Sequence, residues 1–336
     1  MTHVPFVTVA VPTLNESATI AAVISELLSG SDDLDLEIVV VDGGSTDGTQ
    51  ALLSEISESD PRVRLLHNPG RIQSSGVNLV ARSADPRSKI LVRTDAHCAY
   101  PVGFVARVSA TLVKTGAQSV VVPMFTVGED DTFQQSVAEA QNSKLGNGGA
   151  AHRGGSTPSG WADHGHHAAF DLSTFLSLGG YDETFAVNED AEYDVRLAKS
   201  GGRVWMERGA EINYYPRRTA ASLARQYFRY GQGRSRTVFK HSIRPRPRQM
   251  APVAIFWTMA LSILLAPVSP LLALPGAAYL AACLAYSMKT AKGSATGMFV
   301  ALCCMHLSWG AGFTCGAARA VAGLFRRAPA VQVVIR

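Results

Sequence analysis

A chain of 336 residues with 47% apolar side chains can bury one α/β domain of ordinary size and a smaller second body, which excludes a disordered chain. The formal charge of +4 is modest, and Lys and Arg are scattered except for a cluster between Arg225 and Arg248. This excludes nucleic acid as a partner and suits a membrane surface instead.

Residues 1–12 contain no basic region followed by an apolar stretch and a cleavage site, so the N-terminal domain is expected to stay in the cytosol. Between residues 6 and 123, short β-branched runs alternate with helical patterns. Strands are expected over 7–11, 37–41, 63–66, 90–94 and 119–122, and helices over about 18–28, 48–56, 75–82 and 102–115. Ser45, Thr46 and Asp47 are capping candidates for the second helix. This alternation predicts a mostly parallel sheet covered on both faces, with ligands beyond the carboxyl ends of its strands.

A Gly-, Ser- and His-rich stretch over 146–160 reads as a long loop, in which His152 and Arg153 are lid candidates or solvent-exposed groups. Elements then resume with one at 172–178, a Gly-Gly-Tyr-Asp-Glu turn, a helix near 190–199, a strand at 203–207 and an amphipathic stretch over about 220–241. No charged residue occurs from Ala251 to Met288, and Pro267 to Pro270 can divide this run into two spans of about 17 to 20 residues. A third apolar segment covers about 298–318. The positive-inside rule puts Arg244–Arg248 and Lys289–Lys292 in the cytoplasm, which suits a hairpin. A full third span would export Arg326 and Arg327, so either that segment is re-entrant or the rule is overridden. The expected domains are a cytoplasmic catalytic domain (1–240), a basic linker (241–250), a membrane region of two or three helices (251–324) and a tail (325–336). Five cysteines, four of them in these apolar segments, include no C-x-x-C pair, so no disulfide framework is expected.

The chemistry gathers at the strand ends. The first strand runs into Pro12-Thr13-Leu14-Asn15-Glu16 and the second into Asp42-Gly43-Gly44-Ser45-Thr46-Asp47-Gly48. A carboxylate beside permissive glycines can accept a hydrogen bond from a base imide or a ribose hydroxyl; alternatively, Asp42 only caps its own turn. Asp95 and His97 follow the fourth strand with a spacing of two, which lets a carboxylate and an imidazole share Mn²⁺ or Mg²⁺ and offset the charge of a diphosphate. At the start of a later helix, Glu189 and Asp190 either complement the helix dipole or supply a general base, Asp190 by preference. Neighbours at i and i+1 diverge, so the two cannot flank one glycosidic bond as a hydrolase pair does. Asp163, His164, His166 and His167 also admit a zinc reading, with His164 and His166 sharing one face of a strand.

Pro12–Glu16, Asp42–Gly48, Asp95–His97, Gly179–Glu183 and Glu189-Asp190, in this order, resemble the family 2 inverting glycosyltransferases over about two thirds of the chain. The resemblance implies an α/β fold of the GT-A nucleotide-diphospho-sugar transferase type, a Rossmann-like mixed sheet followed by C-terminal transmembrane helices. It places Pro12, Asn15, Glu16, Asp42, Gly44, Ser45, Asn68, Arg71, Gly76 and Asp95 around a nucleotide sugar. It also implies a metal, Mn²⁺ or Mg²⁺, at Asp95 and His97, and Asp190 as the catalytic base. His97 departs from the family pattern, where a second Asp is usual, and Gly43 departs where another Asp is common. Gln226-Tyr227-Phe228-Arg229-Tyr230 resembles the Gln-x-x-Arg-Trp motif of polysaccharide-making members, so Gln226, Arg229, Tyr230 and Arg234 are candidates for an acceptor or diphosphate, as are Asp163, His166 and Glu189. The same stretch can instead be an interfacial helix whose Arg residues meet anionic lipid.

The Asn68–Gly76 loop, Asp95-Ala96-His97, the stretch Tyr227–Arg236 and the C-terminal spans look most like the glucosyltransferases of succinoglycan biosynthesis, the ExoA type. That likeness implies UDP-glucose as donor, a polyprenyl-linked saccharide as acceptor and a β-linkage made by inversion at the plasma membrane. Two alternatives stay open, direct transfer to polyprenyl phosphate and a catalytically silent nucleotide-sugar-binding scaffold of an export assembly.

Overall fold

The computed structural model describes residues 4–128, 132–150, 153 and 158–327, and the chain divides into two compact units, Met1–Arg217 and Arg218–Arg336. In chain order the first unit holds β1 (Val7–Thr13), α1 (Ile20–Leu28), β2 (Leu36–Asp42), α2 (Thr49–Ser59), β3 (Val63–His67), α3 (Gln73–Arg82), β4 (Ile90–Arg93), β5 (Cys98–Ala99) and α4 (Phe104–Thr115). There follow β6 (Ser119–Val122), β7 (Met124–Thr126), α5 (Thr132–Asn142), α6 (Lys144–Asn147), β8 (Gly160–Ala162), β9 (His166–Asp171), α7 (Leu172–Ser177), α8 (Glu189–Lys199), β10 (Val204–Met206) and β11 (Ile212–Tyr214).

Eight strands form one mixed sheet in the order β3-β2-β1-β4-β9-β6-β10-β8, and β5, β11 and β7 form a second, three-stranded sheet. β1 and β2 are almost wholly buried and rich in Val, as interior parallel strands covered on both faces must be. One face packs Val9, Val11, Ile38 and Val40 against Ile24 and Leu27 of α1 and Phe104 and Val108 of α4. The other packs Val39, Val41 and Leu91 against Val77 and Val80 of α3, Phe175 of α7 and Tyr193 of α8. Parallel pairing sets Thr13 opposite Asp42 and Asp42 opposite His67. The strands therefore end in one row, and the loops that leave them share one edge of the sheet.

The sheet departs from the mostly parallel expectation because β9 is inserted antiparallel between β4 and β6. Its sequence, HHAAFD, has neither a β-branched residue nor regular alternation, so nothing local marks it as a strand; pairing on both sides makes it one. The fourth strand ends at Arg93 rather than Thr94, although Thr94 is still tied to Ala10 O by its N–H and its hydroxyl, each at 3.0 Å.

The second unit holds α9 (Ala220–His241), α10 (Pro247–Leu265), α11 (Leu274–Thr290) and α12 (Ala295–Arg327). α9 packs with the apolar helices and so belongs to the second unit. It lies along α12 in the same direction: Phe228 meets Gly312, and Gln232 and Ser235 meet Gly316. A Cβ on Gly231 would strike the Trp309 carbonyl, and one on Gly312 the Phe228 carbonyl. Small residues at such a seam let helix backbones touch, as membrane helices commonly do.

Pro247–Leu265, Pro270–Thr290 and Ala295–Ala322 are each long and apolar enough to cross a membrane. Leu264 is 71% and Val268 79% exposed, an apolar surface suited to lipid. α12 is one continuous helix, about 50 Å long at 1.5 Å per residue, and has no break of the kind a re-entrant segment needs. All 27 acidic residues lie at or before Glu211, whereas just over half of the 31 Lys and Arg residues follow it.

Candidate active site

The loops after β1 and β2 hold each other. Gly43 N–H donates to Thr13 O (2.9 Å), Asn15 N–H to Ser45 Oγ (2.8 Å), Thr46 N–H to Asn15 Oδ1 (2.8 Å) and Ser17 N–H to Asp47 Oδ2 (3.1 Å). Asn15 adopts a left-handed φ of 56°, a conformation that Asn tolerates better than most residues. Asp42 is buried and accepts from Gly44 N–H (2.9 Å), Ser45 N–H (3.1 Å), Gln50 Nε2 (2.7 Å) and the Ser45 hydroxyl. Burial opposes its charge, but these bonds lower its pKa below the ordinary value. Its carboxylate thus caps its own turn, and the exposed Gln50 is the partner best able to swing away.

Asn68 is committed in the same way, with Oδ1 accepting from Gly70 N–H and the Ser75 hydroxyl while Nδ2 donates to Ile72 O. Gly76 permits close packing, since a Cβ there would lie 3.1 Å from Val41 and 3.2 Å from Asn68 Nδ2. These two shape the loop. Arg71 donates Nε–H to Gly43 O at 2.9 Å, with its exposed side chain beside Gly44.

At the end of β4, Arg93 Nη2 lies 3.0 Å from Asp95 Oδ1 and Nη1 2.8 Å from His166 Nε2, while His166 Nε2 is 3.3 Å from Asp95 Oδ2. Gln73 Nε2 donates to Asp95 Oδ1 at 2.6 Å, and Asp95 N–H donates to the Tyr100 hydroxyl at 2.6 Å. Burial disfavours the Asp95 charge, yet Arg93 and His166 hold the carboxyl far below the usual range. Burial and the Arg93 guanidinium keep the His166 imidazole below its ordinary pKa, against the pull of Asp95 and Asp190.

His97 turns outward, its side chain 49% exposed against 12% for Asp95, with Nδ1 3.3 Å from Glu16 Oε1. Desolvation acts against its proton, but the Glu16 bond and the Asp95 charge raise its pKa. Two donors at that separation resemble neighbouring ligands of one octahedral ion, about 3 Å apart for bonds near 2.1 Å. Oxygen donors with one imidazole fit Mn²⁺ or Mg²⁺, provided that His97 gives up its proton on binding. Asp95 and His97 do not, however, form a tight three-ligand cluster. Among the described residues the group whose ligand atoms lie within 4.8 Å of one another is His164, His167 and Asp194.

α8 carries buried Glu189 and part-exposed Asp190 in its first turn. Burial and then the Asp190 charge push Glu189 up to about 7, although Arg93 pulls the other way. Arg196 fastens the helix to the turn before it, donating to Leu178 O (2.5 Å) and Gly180 O (2.7 Å) and pairing with Glu192 (2.7 Å). Asn78 holds the same turn, accepting from Tyr181 N–H and donating to Tyr181 O, each at 2.8 Å.

The charges of Asp95 and Glu189 act on Arg93 and those of Asp95 and Asp190 on His166, and Glu16 joins His97 to the β1 loop. The expected pairing of His164 with His166 does not occur, because β9 begins only at His166 and His164 turns with His167 to Asp194. Asp163 is exposed just past β8. His152 lies outside the described residues. Arg153 is half-buried and bonds Thr126 Oγ1 at 3.4 Å, rather than standing in solvent. Gln226, Arg229, Tyr230 and Arg234 lie on α9 in the second unit, where Gln226 Nε2 donates to the Tyr230 hydroxyl at 3.0 Å. Sequence reasoning missed Arg93, Gln73 and Asp194. Arg93 carried a readable signal, since a charge ending a doubly buried strand needs a partner.

Residues 8–171 match the model of glycosyl transferase family 2 and residues 103–310 that of glycosyl transferase family group 2. The chain is 44% identical over 309 residues to succinoglycan biosynthesis protein ExoA of Rhizobium meliloti (strain 1021), covering 91% of this chain and 93% of that one. A mannosyltransferase of Pyrobaculum calidifontis, solved in complex with GDP-Man and Mn²⁺, matches with a TM-score of 0.55 at 24% identity, over 97% of this chain and 89% of that one. At that identity the likeness establishes the fold, the GT-A sheet expected above.

Proposed function

Because the chain belongs to glycosyl transferase family 2 and is a glycosyltransferase related to ExoA, we propose that it transfers a sugar, glucose from UDP-glucose, with inversion to a lipid-linked saccharide in exopolysaccharide synthesis. The supporting observation is the imidazole of His166, which touches Asp95 at 3.3 Å and lies within the field of Asp190. This supports a reading in which a donor-side carboxylate and a part-exposed carboxylate on a helix N-terminus face one bound substrate. Asp190 takes the proton from the acceptor hydroxyl as that oxygen attacks the anomeric carbon. Glu189 is buried, so the part-exposed Asp190 is the carboxylate that an acceptor hydroxyl can reach.

On the donor side the exposed Arg71 guanidinium, Glu16 and the backbone around Asn15, Gly44 and Ser45 receive the nucleotide, with Asp42, Asn68 and Gly76 holding their loops in shape. A divalent cation at Asp95 and His97, with Glu16 alongside, would offset the diphosphate charge as the nucleotide departs. The apolar helices after Arg248 anchor the enzyme in the plasma membrane with its catalytic unit cytoplasmic, which raises the effective concentration of a lipid-linked acceptor.

Nucleotide release by purified protein in detergent, across several sugar nucleotides and with and without chelator, tests this reading. Asp190→Asn should abolish transfer and keep donor binding; loss of both would assign Asp190 a structural role. Release that requires a glycosylated lipid supports the acceptor named here, whereas release with bare polyprenyl phosphate would replace it.

A further inference from the structure

β9 contains a bulge. Its register with β6 runs Ser119 to Phe170, Val120 to Ala169, and then Val121 to His167, so that Ala168 has no opposite number. In an unbroken strand His167 would share a face with Ala169 and point away from Phe170. Instead Ala168 and Ala169 both enter the core formed with α1 and α4, while the His167 ring meets Phe170 edge-on at 4.9 Å on the α8 side. Bulges re-aim side chains in this way beside active sites.

Once turned, His167 is fully engaged. Its Nδ1 lies 2.7 Å from the Tyr181 hydroxyl, with the two rings parallel, and its Nε2 lies 2.9 Å from Asp194 Oδ1. His164 Nδ1 meets Asp194 Oδ2 at 2.6 Å. One arrangement satisfies these three contacts: Tyr181 donates to His167 Nδ1, and each imidazole donates an N–H to a carboxylate that can only accept. Asp194 is four residues after Asp190, one helical turn along the same face of α8. The preceding residue in β9, His166, takes the other direction, to Asp95 and Arg93.

We propose that Tyr181, His167 and Asp194 are positioning residues that lock α8 to the bulged strand and so hold Asp190 at a set distance from Asp95. The inference rests on the reading of Asp190 as the base. Adjacent histidines of one short strand then gauge the separation of the two working carboxylates. Hydrogen bonds account for the His164–His167–Asp194 cluster without a metal ion.

The test measures transfer kinetics for full-length protein in detergent. Asp194→Asn and His167→Phe should lower kcat by about ten- to a hundredfold, the scale of a displacement near 1 Å, with the donor KM within about threefold of wild type. His167→Gln, which keeps a hydrogen-bonding group, should recover part of that loss. Tyr181→Phe removes one hydroxyl, leaves the ring stack, and should lower kcat severalfold even if the other variants fail to fold. Unchanged kcat in folded Tyr181→Phe and His167→Gln would overturn the proposal while Asp190→Asn remains inactive; transfer by Asp190→Asn would instead sink the base assignment beneath it. A stoichiometric metal found by elemental analysis, lost in Asp194→Asn and kept in Asp95→Asn, would also overturn it in favour of a cation site.

Discussion

His97 Nδ1 lies 3.3 Å from Glu16 Oε1, and this contact joins the loop after β1 to the segment after β4 at the exposed rim of the site. If these groups and Asp95 hold the cation, His97→Ala weakens Mn²⁺ activation by about tenfold or more. His97→Asp restores an all-oxygen set and shifts the preference towards Mg²⁺. Titration of each metal against nucleotide release checks both. Activity that ignores chelator in wild type and variants alike would remove the metal from the mechanism.

Glu189 supplies a pH signature. Its pKa rises from 4.5 to about 7 on folding, so the folded state binds the extra proton between those values. The stabilisation is therefore complete below about pH 4.5 and is lost as pH rises through about 7, a change of about 3 kcal/mol. Glu189→Gln should flatten that dependence, matching wild type at pH 5 and exceeding it in thermal stability at pH 8. Equal pH profiles for the two proteins would refute the assignment.

Asn78 is buried and serves both backbone groups of Tyr181. Asn78→Ala strands an N–H and a carbonyl together and should cost about 3 kcal/mol, a fall of about 8 °C in Tm. Differential scanning fluorimetry reads this directly; a shift below about 2 °C would mean that the turn relaxes without it.

No acidic side chain follows Glu211, so the basic groups of α9 and the linker have no acidic side chain of their own unit to meet. Arg225, Arg229 and Arg244 are exposed. Vesicles containing phosphatidylglycerol should support severalfold faster transfer than pure phosphatidylcholine, with the gap narrowing in 0.5 M salt. Arg225→Ala with Arg229→Ala should erase most of the difference. Equal rates in both vesicles would assign these arginines elsewhere.

Sequence reasoning reached those parts of the site that local chemistry writes down. β1, β2, β3 and β6 announce themselves through Val and Ile, and the residues following them sit at strand ends as expected. The interlock of Asn15 with Thr46 was out of reach, because it joins loops 31 positions apart. β9 was hidden for a different reason: its two histidines and two alanines have no strand preference, and the bulge defeats the period of two. Asp194 looked like any acid on an amphipathic helix. Its spacing of four from Asp190 was the readable clue, since two like charges one turn apart invite donors from another element.

At Gly231, Gly312 and Gly316, α9 and α12 meet with no room for a methyl group. None of these glycines bears reactive chemistry, yet if Asp190 is the base, a survey of random mutants scored by transfer activity would rank them beside it. The two kinds of failure differ in the membrane fraction: glycine variants should disappear from it as the helix pair comes apart, whereas Asp190 variants should accumulate there intact and idle.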